Sequence, residues 1–180
     1  MHDEPIVLLD HAPEWHERFI GQRDRLTHLL RLWLAADPEH VGSTAVPGLR
    51  AKPIVDILAP VRSLAAARAA VPMLEADGWL LWRDDPNRHY RLWFLRPTPT
   101  VRTHHLQLMQ HEHPELRNLL LFRNALRGDP ALRQAYAALK DQLAQRHGSD
   151  RNAYSDAKSD FVQTVLRKAG ASPSTRRSIA

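Results

Sequence analysis

The chain has 180 residues, 43% of them hydrophobic and none of them cysteine, so one domain with its own core is expected, without disulfides, zinc ribbons or a thiol nucleophile. The net charge is +5, and two of those charges are Arg176 and Arg177 near the C-terminus; the other basic residues are spread out, which is not the footprint of a nucleic-acid binder. No apolar run approaches the roughly 20 residues of a membrane-crossing helix, and Met1-His2-Asp3-Glu4-Pro5 lacks the basic-then-apolar layout of a signal peptide, so a cytoplasmic protein is expected.

In chain order, a first helix is predicted from Pro13, a residue type suited to the first helical turn. Trp15, Phe19, Leu26, Leu29, Leu30 and Trp33 recur at helical spacing as its buried stripe, and Asp37-Pro38 is the expected stop. A short strand at His40 and Val41 runs into Gly42-Ser43-Thr44 and a Pro-Gly loop. Residues 53–61 read as a strand buried on both faces, because Ile54, Val55, Ile57 and Leu58 leave no polar side. Residues 63–76 are Ala-rich and helical, with Gly78 as the stop. Two more strands, 89–95 and 103–109, are joined by a turn through Pro97 and Pro99. Helices are predicted at 114–127, 130–146 and 151–168, the second capped by Asp129 with Pro130 just inside. The fold class expected is α+β: a mixed sheet of four or five strands with packed helices and a C-terminal helical layer. One domain over residues 1–170 is expected, with residues 171–180 as a disordered tail. No G-x-G-x-x-G follows a strand and no G-x-x-x-x-G-K-[ST] occurs, which excludes Rossmann and P-loop readings.

Chemistry concentrates between His40 and Asp56. Gly42 lets the backbone approach an anion, Ser43 and Thr44 add hydroxyl donors beside exposed amides, and Lys52 offers a point charge to the same phosphate. Asp56 then stands alone in an apolar strand, where a carboxylate is costly unless it is paired, hydrogen-bonded or bound to a metal. The competing account makes Gly42 and Gly48 simple turn residues and Asp56 an acceptor of amide hydrogen bonds.

A Gly-Ser turn followed by an aspartate in the next strand resembles the front half of the nucleotidyltransferase signature. His40-Val41-Gly42-Ser43-Thr44-Ala45-Val46-Pro47-Gly48-Leu49, with Ala51-Lys52-Pro53-Ile54-Val55-Asp56-Ile57, is similar to the GrpB family. The likeness continues in Arg102-Thr103-His104-His105-Leu106, in Leu121-Phe122-Arg123-Asn124-Ala125-Leu126-Arg127, and in Tyr136, Lys140, Tyr154, Lys158 and Phe161. The resemblance implies a nucleotidyltransferase-like fold without an established reaction. It also implies a nucleotide or coenzyme A context, since some members are fused to dephospho-CoA kinase. Two departures stand out. The second carboxylate of active nucleotidyltransferases, two residues after the first and on the same strand face, is Leu58 here. The His-x-His that the family tends to show in a later strand is His105-Leu106-Gln107.

Elsewhere, His111-Glu112 is not the start of H-E-x-x-H, and Pro114 breaks any helix through it. His104 is expected on the face opposite His105. Arg91 and Trp93 share one face and could stack on a base or clamp a phosphate. Lys140 and Lys158 each follow a tyrosine by four residues, which puts each pair on one helical face; the resemblance favours Lys140 as an anion-binding residue. The functional expectation is therefore a protein that binds a nucleotide or other phosphorylated small molecule. Gly42, Ser43, Thr44, Lys52, Arg91, Lys140 and Lys158 would hold the phosphates. Asp56 would be catalytic and would share a divalent Mg or Mn ion with His105, transferring a nucleotidyl or phosphoryl group by positioning and electrostatics. A non-catalytic ligand-binding module on the same fold and a mononuclear metal hydrolase built on His105 are the alternatives.

Overall fold

The computed structural model describes residues 6–148 and 150–171. Apart from Ala171, the expected tail lies outside the described residues. Helix α1 (Glu14–Leu29) begins after Pro13, whose φ of −54° already suits the first turn. Trp15, Phe19, Leu26 and Leu30 form its buried stripe, while Leu29 and Trp33 are only half buried. The helix does not run on to Asp37-Pro38. The Trp33 carbonyl accepts from Arg62 N–H and the Ala35 N–H donates to Pro60, each at 2.9 Å. Pairing with a neighbouring strand thus competes with a further helical turn, and it wins.

After β1 (Glu39–Val41) comes a 3-10 turn, Ser43–Ala45, then β2 (Val55–Val61). The helix expected over 63–76 is two pieces, α2 (Leu64–Ala67) and α3 (Val71–Ala76), with a 3-10 turn at Arg68–Ala70 between them. Pro72 has no N–H to bond back to residue 68, so the helix is interrupted there. A two-residue strand that the sequence pattern did not announce, β3 (Leu80–Leu81), precedes β4 (Arg91–Pro97) and β5 (Arg102–Gln110). Helices α4 (Pro114–Gly128) and α5 (Pro130–His147) follow, and Asp129 caps α5 by accepting from Leu132 N–H at 2.9 Å. The last predicted helix is split into α6 (Arg151–Asp156) and α7 (Ser159–Lys168).

The strands form one mixed sheet in the order β1-β2-β5-β4-β3, with β2 and β5 parallel in the centre and the other pairs antiparallel. One face carries Val55, Ile57, Ala59, Val61, Leu92, Phe94, Leu106 and Leu108, and packs against α1, α2 and α3 to make the main core. The other face is divided. Leu58 and Met109 are covered by Leu116, Leu119 and Leu120 of α4, whereas Asp56, Trp93, His105 and Gln107 alternate onto the same face beside them. A third cluster of Val46, Leu49, Leu126 and Tyr136, flanked by Phe122 and Phe161, seats the C-terminal helices on the loop between β1 and β2. Among the described residues no helix is long and apolar enough to cross a membrane.

Candidate functional site

Asp56 and His105 are register partners on the two central parallel strands, so their side chains leave the same face side by side. Asp56 Oδ1 and His105 Nδ1 are 2.9 Å apart. With Nδ1–H donating to the carboxylate, the imidazole keeps its lone pair on Nε2. That nitrogen is buried and has no hydrogen-bond partner among the described residues. The ring meets the edge of Trp93 at a centroid distance of 5.3 Å. The pair is accessible: the Asp56 side chain is 28% exposed, so the carboxylate is half open to ligand rather than sealed in the core.

Gly42 makes this arrangement fit. It follows β1, with φ +72° and ψ −170°, a backbone region that is essentially glycine-only. A Cβ built there would stand 2.3 Å from Asp56 Oδ2, so the turn and the carboxylate pack with no room for a side chain. Ser43 and Thr44 open the 3-10 turn with their amides at its unbonded end. Ser43 is half buried and Thr44 fully buried.

The structure departs from expectation at three of the anion-binding candidates. The Thr44 hydroxyl donates to the Ile54 carbonyl at 3.1 Å and sits 3.0 Å from His40 Nε2. It ties the turn to the approach of β2 rather than facing a ligand. Arg91 is consumed by a buried pair with Asp85, through Nε at 2.6 Å and Nη2 at 2.8 Å, and by Gln107 Oε1 at 2.9 Å. It also stacks on Trp93 at 4.8 Å. A guanidinium committed this way is a wall and not a phosphate clamp. Lys140 is buried, lies 5.0 Å from the Tyr136 ring centre and donates to the Arg50 carbonyl; burial pushes its amine down to about 8.

Lys140 belongs to a set the sequence reading missed as a set. Arg123 donates to the His40 carbonyl at 2.8 Å and to Glu39 at 2.6 Å, and Arg127 donates to the Ala45 carbonyl at 2.8 Å. Three cations from α4 and α5 thus fasten carbonyls along the segment from residue 40 to residue 50. Lys52 and Lys158 do come together, on the ring of buried Tyr154, at 4.5 and 3.9 Å from its centre. His104 faces the main core as expected, bonded to Thr103 at 2.8 Å and held neutral by burial, which pushes it down to about 4.

A centre of two hard cations, which needs several oxygen ligands, does not fit these residues. Leu58 stands fully buried at the second-acid position, and the Gln107 side-chain oxygen is held by Arg91. Among the described residues no three His, Asp or Glu side chains converge as a metal site.

The five-stranded mixed sheet with its helical layers defines an α+β protein of nucleotidyltransferase-like build. A family profile described as GrpB protein matches residues 5–168, and the chain belongs to that family. It is 38% identical to a UPF0157 protein of Pseudomonas aeruginosa over 93% of this chain and 69% of that one. It is 29% identical over 92% of its length to a dephospho-CoA kinase of Mycolicibacterium paratuberculosis, of which it spans 46%. The crystal structure of the conserved protein GrpB from Enterococcus faecalis superposes with a TM-score of 0.82 at 31% identity, covering 91% of this chain and 96% of that chain.

Proposed function

We propose that the protein binds a nucleotide or related phosphorylated small molecule over the Gly42-Ser43 turn and the Asp56–His105 pair. The observation that carries this reading is the carboxylate itself. Asp56 is half open, packed against a glycine that admits no side chain, and held by a histidine whose other nitrogen is buried without a partner. Unsatisfied polar atoms at an open carboxylate mark a site that something else completes. The amides of Ser43 and Thr44 are the donors nearest the turn, and Lys52 with Lys158 brings two positive charges to one tyrosine ring. A single Mg or Mn ion arriving with the phosphates would be held by Asp56, with His105 orienting the carboxylate through its Nδ1–H, and would supply charge neutralisation. Transfer of a nucleotidyl or phosphoryl group on this site would rest on positioning by the turn and on Asp56.

A second reading, a ligand-binding module without turnover, is favoured by Leu58, which leaves one acid where transfer chemistry uses several. The relative named dephospho-CoA kinase puts coenzyme A precursors among the ligands to try. The test is a thermal-shift screen of nucleotides and coenzyme A precursors, with and without Mg²⁺ or Mn²⁺, on the wild type and Asp56→Asn. A ligand at 100 times its Kd stabilises by about 2.7 kcal/mol. A metal-dependent shift lost in Asp56→Asn supports the site, and product formation then separates transferase from module. A shift that Asp56→Asn keeps in full takes Asp56 out of the binding site.

A further inference from the structure

A second cationic feature lies beyond Trp93. A cleft of about 180 Å³ is lined by Arg68, Trp82, Arg83, Arg88, Arg91 and Trp93, among others. Its arginines come from three separate segments: the 3-10 turn after α2, the loop after β3, and β4 with its approach. The Trp82 backbone N–H donates to the Trp93 carbonyl at 2.8 Å, and the Arg102 guanidinium lies 5.7 Å from the Trp82 ring and 5.9 Å from the Trp93 ring. Arg91 and Asp85 lock one wall, as described. Arg83 shares a solvent-exposed pair with Glu75 at 3.2 Å, which is worth little. Arg68 donates to the Arg88 carbonyl at 3.5 Å, so these two residues meet. Both are exposed, and no carboxylate among the described residues pairs with either side chain, Asp84 in the same loop included. Trp93, only 7% exposed, keeps a buried indole N–H without an acceptor among the described residues.

We propose that this cleft is a second subsite, which takes the planar, oxyanion-bearing end of a small molecule, with the ring against Trp82 and the anion between Arg68 and Arg88. The chemistry is that of the wall. Indoles and guanidinium groups recognise flat, electron-rich rings, and paired guanidinium groups recognise carboxylate or phosphate oxygens. The volume is below the roughly 300 Å³ at which whole-ligand pockets begin, so the cleft holds one end of a ligand. Trp93 is its shared wall with His105, which directs the other end toward Asp56. That last step rests on the function proposed above; the cleft does not, and it can be probed alone.

The probe is AMP, with adenosine and inorganic phosphate as its separated halves, titrated without divalent metal and read by calorimetry and tryptophan fluorescence. AMP should bind the wild type at least tenfold more tightly than adenosine or phosphate. Arg88→Glu and Arg68→Glu should each weaken AMP tenfold or more with the thermal midpoint unchanged, Arg88→Gln should weaken it less, and Arg146→Glu, a reversal at an exposed arginine outside the cleft lining, should leave it within twofold. Equal binding of AMP and adenosine, AMP binding that survives both arginine reversals, or no AMP binding at all overturns the cleft. AMP lost in Asp56→Asn and kept in Arg88→Glu also overturns it, while leaving the Asp56 site standing. The opposite pattern is a wild type that shows no metal-dependent shift while its AMP binding stays sensitive to Arg88: the cleft holds and the reading at Asp56 fails.

Discussion

Gly42 carries more of the site than its size indicates. Its φ of +72° with ψ near 180° costs an L-residue about 1–3 kcal/mol, and a methyl group there would strike Asp56 Oδ2 at 2.3 Å. Gly48 has a similar φ of +75°, but its nearest atom beyond the local chain is an Arg133 side-chain nitrogen 4.0 Å away. Gly42→Ala should therefore cost about 3 kcal/mol or more in urea unfolding and displace the carboxylate, whereas Gly48→Ala should cost only about 1–2 kcal/mol. Equal losses at the two positions would remove the steric argument. At this scale the sequence was informative wherever one strand sufficed. Alternation put His104 and His105 on opposite faces, and the lone acid in an apolar strand pointed to Asp56. It was uninformative about Thr44, Arg91 and Lys140, whose partners Ile54, Asp85 and Arg50 are dictated by tertiary contact and not by local pattern.

Among the elements, α5 was legible in full because Asp129-Pro130 and Gly148 punctuate it. The split of α6 from α7 falls at Ala157 and Lys158, residues that carry no breaking signal. The two-residue β3 is too short for any periodicity to register. What α5 does could not be read from its hydrophobic stripe, because its fastening residue is a lysine. Lys140→Met keeps the length of the side chain but removes the donor to the Arg50 carbonyl, and should lower stability by about 1–3 kcal/mol at pH 7. The folded amine titrates near 8 and the unfolded one near 10.5, so between those values the unfolded chain holds more protons. The advantage of the wild type over Lys140→Met should then grow as the pH rises from about 8 to 10.5. A difference that stays flat across that window would place the Lys140 charge in solvent.

For the molecule as a whole, two buried histidines set the acid limit. His40 and His104 both titrate near 4 in the fold against 6.5 outside it, chiefly through burial. The unfolded chain takes up their protons first, so stability should fall as the pH drops from about 6.5 to 4, by up to roughly 3 kcal/mol for each. Unfolding of His40→Gln, measured at pH 7 and pH 4.5, should show a shallower loss than the wild type; an unchanged slope would rule His40 out as a contributor. The architecture was legible to the level of an α+β mixed sheet with a C-terminal helical layer. Strand order was not, because the central parallel pairing joins segments that no turn connects.

That same pairing gives the site a history. Asp56 and His105 are 49 positions apart in the chain and neighbours only through the parallel β2–β5 ladder, a contact type that forms slowly because the intervening loop must close first. A chain still being synthesised, or one arrested with only its local helices formed, has the glycine turn and the aspartate but not their histidine. Ligand affinity should therefore appear late in refolding, together with exchange protection of the central strands, and would report completed folding rather than precede it.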